Sequence, residues 1–216
     1  MAKNELANIP PDKYLESEAK ASVRHEYVDG TVFVMADETR RHNIIGVNIV
    51  TIVRSHLRGS PCQAYMEGVK VRIKAANCFY YPDVMVACDQ GDPESVYVDE
   101  PVLIVEVLSR STGSTDRREK LVNYMTIPTL IEYVIVHQRV KRVDVYRRNK
   151  NDNFDESILS TADDLVLESL PNGKLMIPIE AIYENIRGIR DGSLEVREEL
   201  IEYGDWFEDD EVDVLD

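Results

Sequence analysis

No stretch of the 216 residues approaches the roughly 20 consecutive apolar residues that span a bilayer, so no membrane-embedded helix is expected. The opening MAKNELANIPPDKYLE lacks the apolar h-region of a secretory signal, and the expected compartment is therefore the cytoplasm. Cysteine is scarce: Cys62, Cys78 and Cys88 form no C-x-x-C pair and no zinc spacing. They are expected to be free thiols packed as small hydrophobes. The G-x-S-x-G, P-loop and dinucleotide fingerprints are missing, which removes support for the chemistries those motifs carry. Internal repeats and low-complexity linkers are also lacking. Basic charge is in deficit, with 25 Lys and Arg against 40 Asp and Glu and a net charge of −15. Phosphate contacts supply most non-specific nucleic-acid affinity, so the bulk charge argues against a general nucleic-acid binder.

What is present is ordinary globular composition, 44% apolar and 30% charged. The length fits one domain, assigned to residues 1–200, followed by an acidic tail at 201–216. The tail reads either as a solvated terminus or as a nucleic-acid mimic covering a basic groove. The charge is unevenly divided: residues 110–150 sum to +6, whereas residues 151–216 sum to −16. The middle segment can thus present a basic face beside any chemistry placed there.

Helical spacing (Tyr14, Leu15, Ala19, Val23) predicts a first helix over 12–23. HEYVDGTVFVMA follows as a hairpin, because Asp29-Gly30 between alternating strands is a strong two-residue turn signal. A long amphipathic helix is predicted at 38–58, stopped by Gly59. Strands are predicted near 62–67, 69–74, 79–87 and 101–108. In the helix of STGSTDRREKLVNYMTIP, Asp116 and Glu119 stand at capping-box spacing and Pro128 follows the end. IEYVIVH and RVDVYRR are strands, with weaker strands to about 170 and a short helix around IPIEAIYENI. A helix joining the strands at 101–108 and 131–137 implies one parallel crossover in a mixed sheet, an α/β or α+β core.

Residues 102–108, VLIVEVL, have the continuous apolar character of a strand covered on both faces, yet carry Glu106 near the middle. A buried carboxylate must be neutralised, paired or bound to a metal. Glu106 therefore reads as a core ion pair with an arginine, a strand-end acid reached by water, or a metal ligand or catalytic acid. In FYYPDVMVACD, Asp83 follows Pro82 inside a strand-like run, which predicts a bulge or an edge. Two carboxylates on neighbouring strands make a hard-oxygen site suited to Mg²⁺ or Mn²⁺. Lys120 lies early in the following helix, with Asp116 and Tyr124 at i−4 and i+4. It reads either as half of an exposed ion pair with Asp116 or as an ammonium aimed at a phosphate or an attacking water.

With HEYVDGTVFVMA, RHNIIGVNI, YYPDVMV, VLIVEVLSRST, DRREKLVNYMTIPTLIEYVIV and VKRVDVYRR in family order, the chain resembles the PD-(D/E)XK nuclease superfamily over about residues 20–185. Within it, the chain is similar to a bacterial restriction-endonuclease-like family long catalogued as a domain of unknown function. The resemblance implies a restriction-endonuclease-like core: a mixed central sheet flanked by helices, with an N-terminal hairpin and extra C-terminal strands. It makes Asp83 and Glu106 metal-binding carboxylates around Mg²⁺ or Mn²⁺ and adds the Val107 carbonyl as a further ligand. The superfamily's lysine usually stands two residues after the Glu, where this chain has Leu108; its role then passes to Lys120. Glu26 matches an acidic position of the family and His42 a helix histidine that some relatives use as a ligand, so the resemblance makes both candidates for the metal shell. The alternative readings are a surface acid for Glu26 and a partly buried helix residue for His42.

The implied activity is metal-dependent cleavage of nucleic acid, DNA first, by Asp83, Glu106 and Lys120. Arg110, Arg117, Arg118 and Tyr124 would then be substrate contacts. Two alternatives stay open: a degenerate nuclease-fold module that binds without cutting, and a structural dimer in which Glu106 is a core ion pair. A homodimer is plausible because strands after 150 add apolar surface to the minimal core.

Overall fold

The computed structural model describes residues 8–89, 91–108 and 114–192. The acidic tail and Arg110, together with the side chains of Asp116 and Arg117, lie outside the described residues. The chain runs α1 (Pro11–Glu18), β1 (His25–Val28), β2 (Thr31–Val34), α2 (Arg40–His56), β3 (Gln63–Met66), β4 (Lys70–Ile73), β5 (Cys78–Tyr80) and β6 (Val84–Ala87). It continues through β7 (Tyr97–Val98), β8 (Pro101–Leu108), α3 (Ser114–Met125), β9 (Glu132–His137), β10 (Arg142–Arg148) and β11 (Phe154–Ser160). Last come β12 (Asp164–Leu167), β13 (Leu175–Pro178) and α4 (Ile179–Ile182). Among the described residues no helix is long and apolar enough to cross a membrane.

The hairpin forms as the turn chemistry demands: Asp29 and Gly30 both have positive φ, at 42° and 90°, the signature of a primed two-residue turn. Helix α1 stops five residues short of Val23. The Glu18 carboxylate accepts the His25 N–H at 2.9 Å, so the chain is pinned into β1, and Val23 is left exposed rather than buried on a helix face. The Thr39 hydroxyl caps α2 by accepting the His42 N–H at 3.2 Å, and Gly59, at φ 79°, lies just beyond its end.

Two sheets result, one ordered β2-β1-β5-β4-β7 and one ordered β11-β10-β9-β8-β6-β3, with β12-β13 as a small third. The run 79–87, expected as one strand with a bulge, is instead two strands in different sheets. Pro82 cannot donate to a ladder. The chain crosses from one sheet to the other over Tyr81–Asp83, which puts Asp83 at the junction. The predicted crossover is present: β8 and β9 are parallel and joined through α3.

Strand β8 is covered on both faces, as its composition requires. Leu103, Val105 and Val107 pack with Ile45, Ile49 and Val53 of α2. Ile104 packs with Tyr124, Ile127 and Leu130 on the α3 side. Burying one such aliphatic contributes about 2 kcal/mol, whereas a buried charge without a partner costs several, so an acid survives in this strand only if something receives it. The C-terminal strands and α4 extend the α2-side core through Leu165, Leu167, Ile177 and Ile182.

The cysteines depart from expectation. Cys62 and Cys88 form a disulfide, and Cys78 alone is a free, buried thiol. The cause is register: Gln63 pairs with Ala87, and one further step brings residues 62 and 88 opposite each other.

Candidate active site

Alternation along β8 turns Glu106 to the α3 side, where it is largely buried and its side chain keeps 13% exposure. Tyr124, one helical turn beyond Lys120, donates its hydroxyl to Glu106 Oε1 at 2.7 Å. The Lys120 Nζ stands 3.9 Å from the same oxygen. Burial pushes the Glu106 carboxyl up, Lys120 pulls it down, and Asp83 raises it again; the result is about 8.

Asp83 arrives from the sheet junction. Val84 pairs with Val105, so the antiparallel register carried one residue further sets Asp83 opposite Glu106. Asp83 is buried, and its Oδ2 accepts the Val107 N–H at 2.5 Å. Each of these two carboxylates keeps one oxygen, Asp83 Oδ1 and Glu106 Oε2, that accepts no hydrogen bond among the described residues.

From the other side, the first turn of α2 delivers His42. Its Nε2 lies 2.8 Å from the Val107 carbonyl oxygen and 3.3 Å from Asp83 Oδ2. Its Nδ1 lies 3.2 Å from Glu38 Oε2. Burial pulls the imidazole down, but hydrogen bonds to Asp83 and Glu38 outweigh it and raise His42 to about 10. The same hydrogen bond from His42 holds Glu38 below the usual carboxylate range against the opposing effect of burial. One ligand atom from each of Glu38, His42 and Asp83 lies within 4.8 Å of the other two.

Glu26 is buried rather than on the surface. It faces inward from β1, 4% exposed, and accepts a hydrogen bond from Lys120 Nζ at 2.6 Å. Lys120 is itself buried and sits over the Tyr80 ring, 5.2 Å from its centre. The reading of Lys120 as half of an exposed ion pair is therefore corrected: it turns inward, toward Glu26 and Glu106.

The cluster thus has two halves meeting at the two strand carboxylates. Glu38, His42 and Val107 stand on the α2 side; Glu26, Lys120 and Tyr124 stand on the α3 side. Asp83, Glu106, Lys120, Val107, Glu26 and His42 all converge in space. Tyr124 converges too, but as a wall of the site. It is wholly buried behind Glu106 and has no exposed surface to offer a substrate. Arg118 is exposed on α3 and outside the cluster, while Arg110 and the Arg117 side chain lie outside the described residues.

Sequence reading missed two residues. Glu38 stands four before His42, a spacing that would have exposed it had the helix start been read backward from the histidine. Gln138 carries no such signal. Its Nε2 donates to the Leu108 carbonyl at 2.6 Å, and its Oε1 accepts the Thr39 hydroxyl at 3.0 Å. It thereby ties the end of β8 to the cap of the helix that carries His42, next to Glu38.

Comparison with known proteins agrees with this fold. The chain is 33% identical to an uncharacterized Synechocystis protein, slr1290, over 181 residues, covering 82% of this chain and 93% of that one. A second uncharacterized Synechocystis protein, sll1609, is 29% identical over 139 residues, 63% of this chain and 78% of that one. Among solved structures, one described as "a putative nuclease belonging to DUF820" from Anabaena variabilis superposes with a TM-score of 0.66 at 15% identity, covering 81% of this chain and 97% of that one. That likeness carries the fold. Residues 11–178 match the family Uma2, described as "Putative restriction endonuclease", and the chain belongs to that family.

Proposed function

We propose that the protein is a metal-dependent endonuclease that hydrolyses phosphodiester bonds in nucleic acid, with DNA as the substrate. The observation that carries the reading is the pair of buried carboxylates, Asp83 and Glu106, facing each other across β6 and β8 with a lysine ammonium 3.9 Å from one of them. The donor set fits a hard divalent cation. Two carboxylate oxygens accept no hydrogen bond among the described residues, and the backbone carbonyl of Val107, the residue after Glu106, faces the same His42 Nε2 that lies 3.3 Å from Asp83. Asp83, Glu106 and Val107 would hold Mg²⁺ or Mn²⁺. Such an ion would polarise the scissile phosphate and lower the pKa of a bound water.

The chain's own residues supply the rest. Glu26 and Tyr80 hold the Lys120 ammonium in the interior, from which it orients the attacking water or offsets charge growing on the phosphate. Tyr124 fixes the Glu106 carboxylate by its hydrogen bond. Arg118 on α3, with Arg110 and Arg117 nearby in sequence, would contact flanking phosphates. A homodimer in the cytoplasm is the proposed setting.

A binding-only module has two motives, the acidic balance and the displaced lysine, and the approach of Lys120 to Glu106 speaks against the second. Among the described residues the cation beside Glu106 is Lys120, which does not support a core ion pair between Glu106 and an arginine.

The test is incubation with supercoiled, linear and branched DNA and with RNA, in Mg²⁺ or Mn²⁺. The expected result is cleavage that EDTA stops and that falls at least about 100-fold in Asp83→Asn and in Glu106→Gln. Cleavage that survives in both variants, or in EDTA, overturns the assignment.

A further inference from the structure

We propose that Glu38 is a positioning residue that aims His42 Nε2 into the metal centre, giving that centre a nitrogen ligand and a preference for a first-row transition-metal dication over Mg²⁺. The inference rests on the metal-centre reading above and deepens it.

The two ring nitrogens of His42 have separate partners. Nδ1 faces Glu38 Oε2 at 3.2 Å, while Nε2 faces the Val107 carbonyl oxygen at 2.8 Å and Asp83 Oδ2 at 3.3 Å. Adjacent ligands on an octahedral ion with bonds of about 2.1 Å stand about 3.0 Å apart. Nε2 therefore lies at ligand spacing from the Val107 carbonyl oxygen already assigned to the ion and from Asp83 Oδ2, the sister of Oδ1. It would take the ion with loss of its proton to solvent. The carboxylate on the far nitrogen completes the carboxylate–histidine arrangement that fixes ring orientation and raises ligand basicity at metal sites.

The local structure holds this geometry in place. Glu38 directly precedes the α2 cap, Thr39, whose hydroxyl accepts the His42 N–H and donates to Gln138. Gln138 in turn holds the Leu108 carbonyl, next to Val107. Glu38 and His42 are thus braced against the same strand end that supplies the oxygens. An imidazole among oxygens favours transition-metal dications, whereas Mg²⁺ is best served by oxygen alone.

The test uses the full chain with Mn²⁺ and Mg²⁺ as probes, binding read by calorimetry and coordination by pulsed electron paramagnetic resonance of bound Mn²⁺. In the wild type Mn²⁺ binds at least about tenfold tighter than Mg²⁺. Its spectrum carries a ¹⁴N coupling that changes when histidine is labelled with ¹⁵N. In His42→Ala, checked for folding by circular dichroism, the coupling disappears and the preference collapses. In Glu38→Ala, Mn²⁺ affinity falls about 10- to 100-fold while Mg²⁺ affinity moves less than about twofold; a merely structural defect would weaken both. Mn²⁺ bound without nitrogen coupling, with equal affinity in His42→Ala, overturns this inference and leaves the metal centre standing. Equal losses of both ions in Glu38→Ala overturn the positioning role. Failure of the wild type to bind either ion overturns the metal centre itself.

Discussion

Lys120 divides its attention unequally, at 2.6 Å from Glu26 and 3.9 Å from Glu106. Glu26 and Lys120 are both under a tenth exposed, so this is a buried pair. Removing one member of such a pair costs about 3–5 kcal/mol, because a charge is stranded, while replacing both can be close to neutral. Lys120→Met and Glu26→Gln are each expected to lower unfolding free energy in urea by about 3 kcal/mol, and the double variant to recover roughly 2 kcal/mol of the summed loss. Strict additivity would mean that the two side chains do not form a unit. The same contrast explains what the sequence disclosed. Asp83, Glu106 and Lys120 were legible because charges inside apolar or helical periodicity need a reason to be there. Glu38 and Gln138 were not, because each acts through a hydrogen bond to a residue that only the folded chain brings near.

At the scale of elements, long periodic segments announced themselves: α2, α3, the hairpin and the β8–α3–β9 crossover. The short strand β7 did not, since two residues carry no resolvable period. Pro82 signalled an irregularity, but only pairing partners reveal that it separates two sheets. The β9–β10 pair holds a further buried acid, Asp144, hydrogen-bonded to His137 at 3.0 Å and to Arg142 at 2.7 Å. Burial raises its carboxyl, yet the hydrogen bonds from His137 and Arg142 prevail and leave it below the ordinary range. A carboxyl depressed on folding stabilises the protein above its unfolded pKa of about 3.9, and that stability is lost as pH falls through the folded value. Urea titrations at a series of pH values should therefore show stability declining below about pH 4, and Asp144→Asn should flatten that decline while lowering stability at neutral pH. An acid limb unchanged in Asp144→Asn would assign it to other groups.

For the whole molecule, the expectation of a cytoplasmic setting and a Cys62–Cys88 disulfide make opposite demands, because cytosolic thiols are kept reduced. The disulfide joins β6 to β3, which lies at the edge of the six-stranded sheet, and it spans 26 residues that include β4, β5 and Asp83. Closing a loop of that length removes denatured-state entropy worth about 3.5 kcal/mol at 25 °C. For a chain of this size each kcal/mol moves Tm by about 2–4 °C. Protein isolated without reductant and titrated for thiols after unfolding should therefore show one reactive thiol, that of Cys78, and three after reduction. Reduction, or the double variant Cys62→Ala and Cys88→Ala, should lower Tm by about 7–14 °C. Three thiols in the unreduced protein would show the strand pair standing without its crosslink. The register that sets residues 62 and 88 opposite each other would then be maintained by the β3–β6 hydrogen bonds and the packing of Cys62 against the α2-side core alone.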